Sequence, residues 1–158
     1  MLRAPRYVTI TIGDQVLRGV LEDERAPATC EAFVNILPLH AHLLHARWSG
    51  EAAWVPLASL DIGVGIENQL HRPHPGQVLF YPAAESECEI LMPYGVTAFA
   101  AVCGPLSGNH FLTVGHQEEQ LRAIGRRVLW EGAQQIDFDL EPSVEPARSE
   151  PVPRNQTV

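Results

Sequence analysis

The sequence predicts a mainly β fold, an antiparallel barrel capped by two α-helices. Short stretches of apolar–polar alternation recur from Tyr7 to Leu140, and turns rich in glycine or proline separate them. Only two segments carry helical spacing. Parallel strands each need a crossover connection, and two helices cannot supply enough of them. A mostly antiparallel barrel with two capping helices follows.

Val8, Ile10 and Ile12 alternate with Thr9 and Thr11, which makes Tyr7 to Ile12 a half-buried strand. Gly13-Asp14 provides a turn, and Gln15 to Asp23 returns as the second strand of a hairpin. Pro27 suits a first helical position, Phe33, Ile36 and Leu37 continue at helical spacing from Thr29, and Pro38 stops the helix. His40 to Trp48 and Ala52 to Leu57 read as strands about the turn Ser49-Gly50. Ser59 to Gly76 is loop-like. Gln77 to Tyr81, Cys88 to Met92, Thr97 to Cys103 and His110 to Val114 are further strands. Glu118 to Trp130 is the second helix, with Leu121, Ile124, Val128 and Leu129 as its apolar stripe and Gly132 as its cap. Ile136, Phe138 and Leu140 alternate with Asp137 and Asp139 in a last strand. The barrel domain is expected over 1–141, and residues 142–158, rich in proline, form an expected disordered tail.

Charge and composition narrow the chemistry. The 158 residues contain no lysine, so lysine Schiff-base and phosphate-loop lysine chemistry are excluded. The net charge of −8 disfavours nonspecific binding to nucleic acid or to an anionic membrane, so neither is an expected partner. No signal segment and no apolar run of membrane-spanning length is visible. Cys30, Cys88 and Cys103 are isolated and odd in number, which reads as three buried thiols in a reduced, cytoplasmic protein.

Standard motifs fail. Gly63-Val64-Gly65 lacks the third glycine and the following helix of a dinucleotide loop, and Ser107 stands one place too late for a nucleophile elbow. No cofactor is implied. His40 and His42 share one strand face and His45 takes the other, so a metal site would need His71, His74, His110 or His116 to join; no metal is expected. Arg47-Trp48-Ser49-Gly50-Glu51 joins a carboxylate-clamping guanidinium to a flat apolar wall, although Glu51 is an equally good ion-pair partner for Arg47. Gly108-Asn109-His110-Phe111 enters a strand with an amide beside an imidazole, either a ligand site or a turn whose Asn caps its own backbone. Tyr81 and Tyr94 adjoin prolines and either line a cleft or close the core; Glu67-Asn68 would reach over such a cleft.

Two stretches resemble the cyclophilin superfamily. Pro27-Ala28-Thr29-Cys30-Glu31-Ala32-Phe33 is similar to the P-x-T-x-x-N-F start of the first cyclophilin helix, with Ala32 in place of Asn. Gly104-Pro105-Leu106-Ser107-Gly108-Asn109-His110-Phe111-Leu112-Thr113 is similar to G-P-x-T-N-G-S-Q-F-F-I, shortened by one residue. The resemblance covers about residues 7 to 140 and implies a closed, eight-stranded barrel. Ala46-Arg47-Trp48 stands where prolyl isomerases of the superfamily carry Phe-His-Arg, and their substrate-contacting Gln would fall near His110. The Ala-Arg-Trp-Ser-Gly-Glu and Gly-Asn-His-Phe segments look like those of an uncharacterised bacterial cyclophilin-like family.

The expected function is the binding of a small polar or anionic ligand in a cleft on the barrel face. Arg47 would supply charge, Trp48 or Tyr94 a wall, Asn109 and His110 orienting hydrogen bonds, with His110 as acid or base if a reaction occurs. Of the 11 arginines, Arg47 alone sits in a segment that points to a ligand. The alternatives are weak peptidyl-prolyl isomerase activity and a structural subunit of a homo-oligomer.

Overall fold

The alternation of Val8, Ile10 and Ile12 becomes strand β1 (Tyr7–Ile12), with all three side chains buried in the computed structural model, which describes residues 4–143. After it come β2 (Gln15–Leu21), α1 (Pro27–Asn35), β3 (Leu39–His45), β4 (Gly50–Pro56) and β5 (Gln69–Leu70). Then follow β6 (Gln77–Tyr81), β7 (Glu89–Thr97), β8 (Ala100–Ala101), β9 (Gly104–Pro105), β10 (Gly108–Thr113), α2 (Glu118–Glu131) and β11 (Gln134–Leu140).

The sheet runs β2-β1-β11-β3-β4-β7-β6-β10, and Leu112 and Thr113 of β10 pair back onto Leu21 and Val20 of β2. Eight antiparallel strands therefore close on themselves, and closure leaves the ring without a free edge. The two residues of β5 pair onto the start of β10, and β8 with β9 makes a separate hairpin.

Two helices close the core. Phe33 of α1 meets Phe80, Phe111 and Phe138 edge-on, with ring centroids 6.5, 4.8 and 5.6 Å apart, the offset geometry that aromatic quadrupoles favour. Leu121, Ile124 and Val128 of α2 join the same apolar cluster. Gly125 permits that docking, because a side chain there would overlap the Tyr94 ring. The expected fourth member of the α2 stripe, Leu129, is half exposed, since the helix face is centred on Gly125 and Tyr94 needs that space.

Three further expectations change. Strand β7 carries the stretch read at Cys88 to Met92 on to Thr97 through Pro93, which stands opposite Ala52 beside a register shift between Gly50 and Ala52, and the strand read at Thr97 to Cys103 shrinks to the two residues of β8. Proline is tolerated where the ladder is already broken. Strand β3 ends at His45, so Arg47 and Trp48 lie on the β3–β4 turn rather than in a strand. Cys103 is exposed because it sits at the tip of the β8–β9 hairpin; Cys30 and Cys88 are buried, and burial pushes their thiols up to about 12 and about 11. The proline-rich tail lies outside the described residues apart from Pro142 and Ser143. Among the described residues, no helix is long and apolar enough to cross a membrane.

Candidate functional site

Outward-facing residues of β4, β6 and β7 would ordinarily be polar. Here Ala52, Leu79, Tyr81 and Leu91 instead form a second apolar cluster, into which Phe99 and Leu106 from either side of the β8–β9 hairpin are pressed. The hairpin is fastened by Ser49, whose hydroxyl donates to the Ala100 carbonyl and accepts the Ala100 N–H, each at 3.1 Å. The Ala98 N–H also donates to the Ser49 carbonyl. His71 Nδ1, facing the Leu106 carbonyl at 2.7 Å, donates to it from the other side.

This fastening leaves a cleft of about 340 Å³, a size suited to a small molecule. Arg47, Trp48 and Ser49 form one rim, Ala100, Ala101 and Val102 another, and Ser86 and Glu87 a third. Trp54 of β4 and Glu89 of β7 line it from the sheet. The Tyr81 hydroxyl accepts the Glu85 N–H at 3.0 Å and so holds the loop that carries Ser86 and Glu87. Arg47 makes no ion pair among the described residues, and the Glu51 carboxylate accepts the Val96 N–H instead.

Glu89 is the unusual group. Its residue is 7% exposed, and burial, with a smaller push from the neighbouring Glu87 charge, raises its carboxyl to about 7. Among the described residues, no hydrogen bond or ion pair opposes that rise. Among the described residues no fully buried polar side-chain atom lacks a partner, so the unpartnered Glu89 oxygens open onto the cleft that they line. In its protonated form this carboxyl both donates and accepts; ionised, it only accepts. The sequence did carry a signal for it: Cys88-Glu89-Ile90-Leu91-Met92 is an apolar strand with one acid, and period two puts Glu89 on the face of Leu91.

The remaining expected site residues lie elsewhere. Tyr94 points to α2, and its hydroxyl donates to His45 Nε2 at 2.7 Å, because His45 Nδ1 faces the Ala46 carbonyl and must carry the proton. Asn109 is fully buried: its amide donates to Thr29 Oγ1 and the Gly65 carbonyl and accepts the Glu67 N–H. Glu67 does not reach over a cleft but caps α1, accepting the Ala28 and Thr29 N–H groups and the Thr29 hydroxyl. Partial burial acts to raise the Glu67 carboxyl, yet these donors hold it below its usual range. Asn68 donates to the His110 carbonyl.

His110 is 5% exposed, and its Nε2 lies 2.8 Å from the Thr113 hydroxyl, which in turn donates to Glu22. Burial lowers the His110 pKa against the pull of Glu22. Neither Asn109 nor His110 lines the Arg47 cleft, since β6 and β7 stand between β10 and β4. Arg47 and Trp48 come together; Tyr94, Asn109 and His110 do not join them. His40 pairs with Asp137 at 2.7 Å. Among the described residues, no three His, Cys, Asp or Glu side chains group closely enough to hold a metal ion.

A family described as "Protein of unknown function (DUF3830)" matches residues 8–140. No curated protein matches the chain. Among solved structures, McbB in complex with tryptophan is similar with a TM-score of 0.62 and 17% identity, over 96% of this chain and 49% of its own. The chain thus spans about half the length of McbB. The hypothetical protein AF2241 from Archaeoglobus fulgidus, a solution structure, is similar with a TM-score of 0.52 and 12% identity, over 85% of this chain and 94% of its own. Likeness at such identity shows the fold alone.

Proposed function

This chain belongs to the DUF3830 family of proteins of unknown function, and we propose that it binds a small carboxylate-bearing ligand with an apolar or aromatic body in the cleft between Arg47 and Glu89. One observation carries the reading: a buried carboxyl with no protein partner, raised to about 7, opens onto a cleft that also holds an unpaired guanidinium and two indoles. Arg47 clamps the ligand carboxylate, Trp48 and Trp54 flank its body, and Glu89 exchanges a proton with an amino or hydroxyl group. In this reading Glu89 takes the acid–base role that the sequence suggested for His110. McbB holds tryptophan, a molecule of this kind, which makes L-tryptophan the natural first probe.

The closed barrel with two helices accords with the cyclophilin resemblance, and we include that kinship, and a cytoplasmic location, in the proposal. An isomerase site on the superfamily plan would need the Arg47–Trp48 turn and position 110 around one peptide, and among the described residues His110 does not line the cleft of Arg47 and Trp48, so small-ligand binding is favoured.

Calorimetric titration with L-tryptophan and with indole-3-acetate tests the proposal. We expect saturable binding by the wild type, about tenfold weaker binding by Arg47→Ala, and a pH dependence near neutrality that Glu89→Gln abolishes. Absence of binding by both probes at millimolar concentration, or equal binding by wild type and Arg47→Ala, would reject it.

A further inference from the structure

Arg47 is not the only arginine placed for a ligand. On the side of β7 that faces α2, a groove of about 750 Å³ is lined by Arg72, His74, Tyr94, Arg122, Arg126 and Trp130, none of which lines the Arg47 cleft. We propose that this groove is a second binding site, for a planar aromatic ring bearing several anionic oxygens, of the nucleoside di- or triphosphate class.

Three observations support it. Arg122, Arg126 and Trp130 follow one another at four-residue steps on α2 and form a single stripe along it. Arg72 joins them from the loop before β6. Two like charges at that helical spacing repel, and none of these three arginines has an ion pair among the described residues. Arg127, the next residue on the helix, is bound to Asp14 at 2.8 Å, while Arg6 and Arg18 are paired with Asp23 and Glu141.

Among the described residues the only acid lining the groove is Glu51, and its Oε2 already accepts the Val96 N–H at 2.7 Å. Burial and Glu51 raise the Tyr94 hydroxyl while Arg126 opposes them, so the Arg126 charge is felt within the groove.

Trp130 identifies the aromatic half of the ligand. Its residue is 83% exposed, a costly state for an indole with nothing stacked on it, and Val96 nearby is 85% exposed. Guanidinium groups match phosphate oxygens in bidentate geometry, and an indole face accepts a heteroaromatic ring. A long polyanion fits less well, because beyond the groove it would meet a protein of net charge −8.

Titration of the full chain with ATP, and separately with tripolyphosphate and adenosine, tests the site. We expect one saturable site at which ATP binds more tightly than either half. The Arg122→Ala/Arg126→Ala double variant and Arg72→Ala, on a different element, should each weaken ATP by about tenfold or more. Arg25→Ala, which removes the same charge elsewhere, should not. Trp130→Ala should erase the advantage of ATP over tripolyphosphate. The proposal is overturned by non-saturable binding, by an equal effect of Arg25→Ala, or by tighter binding of a ten-nucleotide single-stranded RNA. Light scattering that shows a dimer broken by Trp130→Ala would equally overturn it, by making the groove an interface between copies.

Discussion

At the start of β10, Asn109 is fully buried and its amide donates twice and accepts once; at the start of β7, Glu89 is almost as buried and its carboxyl has no hydrogen-bond partner among the described residues. Both are polar side chains in a hydrophobic wall, and the fold treats them in opposite ways. Around Asn109 the groups lock α1, the long loop and β10 together: Glu67 caps the helix, Asn68 holds the His110 carbonyl, and His110 leads through Thr113 to Glu22. Around Glu89 the cleft is lined by two indoles, Arg47 and Glu87, and the Glu87 charge adds to the burial that raises the Glu89 carboxyl. A buried polar group with all its bonds made serves the scaffold, and under the proposed function the one that opens onto a cavity serves a ligand.

The largest expected effect tests the scaffold half of that contrast. Asn109→Ala strands the Gly65 carbonyl and the Glu67 N–H and takes from the Thr29 hydroxyl the bond it accepts, and should cost about 3 kcal/mol of stability. Urea unfolding measures it; a loss under about 1 kcal/mol would show that the cluster does not hold the barrel together.

Glu89→Gln should act in the opposite direction. A carboxyl raised in the folded state to about 7 keeps its proton there while the unfolded chain releases it near the usual 4.5. The wild type therefore loses stability as pH climbs from the lower value through the higher. Gln has no such loss, so the variant should be more stable above neutral pH by up to roughly 3 kcal/mol, with the gap closing at acid pH. Thermal melts of both proteins from pH 4 to 8 decide it, and a gap independent of pH would mean that Glu89 is not held neutral.

Arg47→Ala should do least to stability, within roughly 0.5 kcal/mol, because the side chain is exposed and unpaired. A substantial loss in the same melts would make Arg47 a structural residue and remove it from the cleft's chemistry.

Part of this arrangement was legible in the chain. Val8-Ile10-Ile12 and Ile136-Phe138 alternate because one face of each strand meets the core, and Pro27 opens α1 because its missing N–H is harmless there. Arg47 with Trp48 was recognisable as a pair because adjacent residues remain adjacent on a turn. Convergence of Tyr94, Asn109 and His110 with them was not decidable, because it depends on which strands neighbour one another. With β6 and β7 between β10 and β4, the Asn109 and Arg47 regions are kept apart.

Residue order by itself therefore determined the antiparallel barrel, its two helices and the adjacency of Arg47 and Trp48, since periodicity, turn chemistry and capping act within a few residues. The tertiary structure alone decided which buried polar groups find partners. It folded the β8–β9 hairpin over the outer face and left Glu89, on the wall of the adjoining cleft, largely buried with no side-chain hydrogen bond among the described residues. It also set Arg72 across from the Arg122–Trp130 stripe of α2. Desolvation and charge clustering depend on distances through space, and a strand pattern does not contain them.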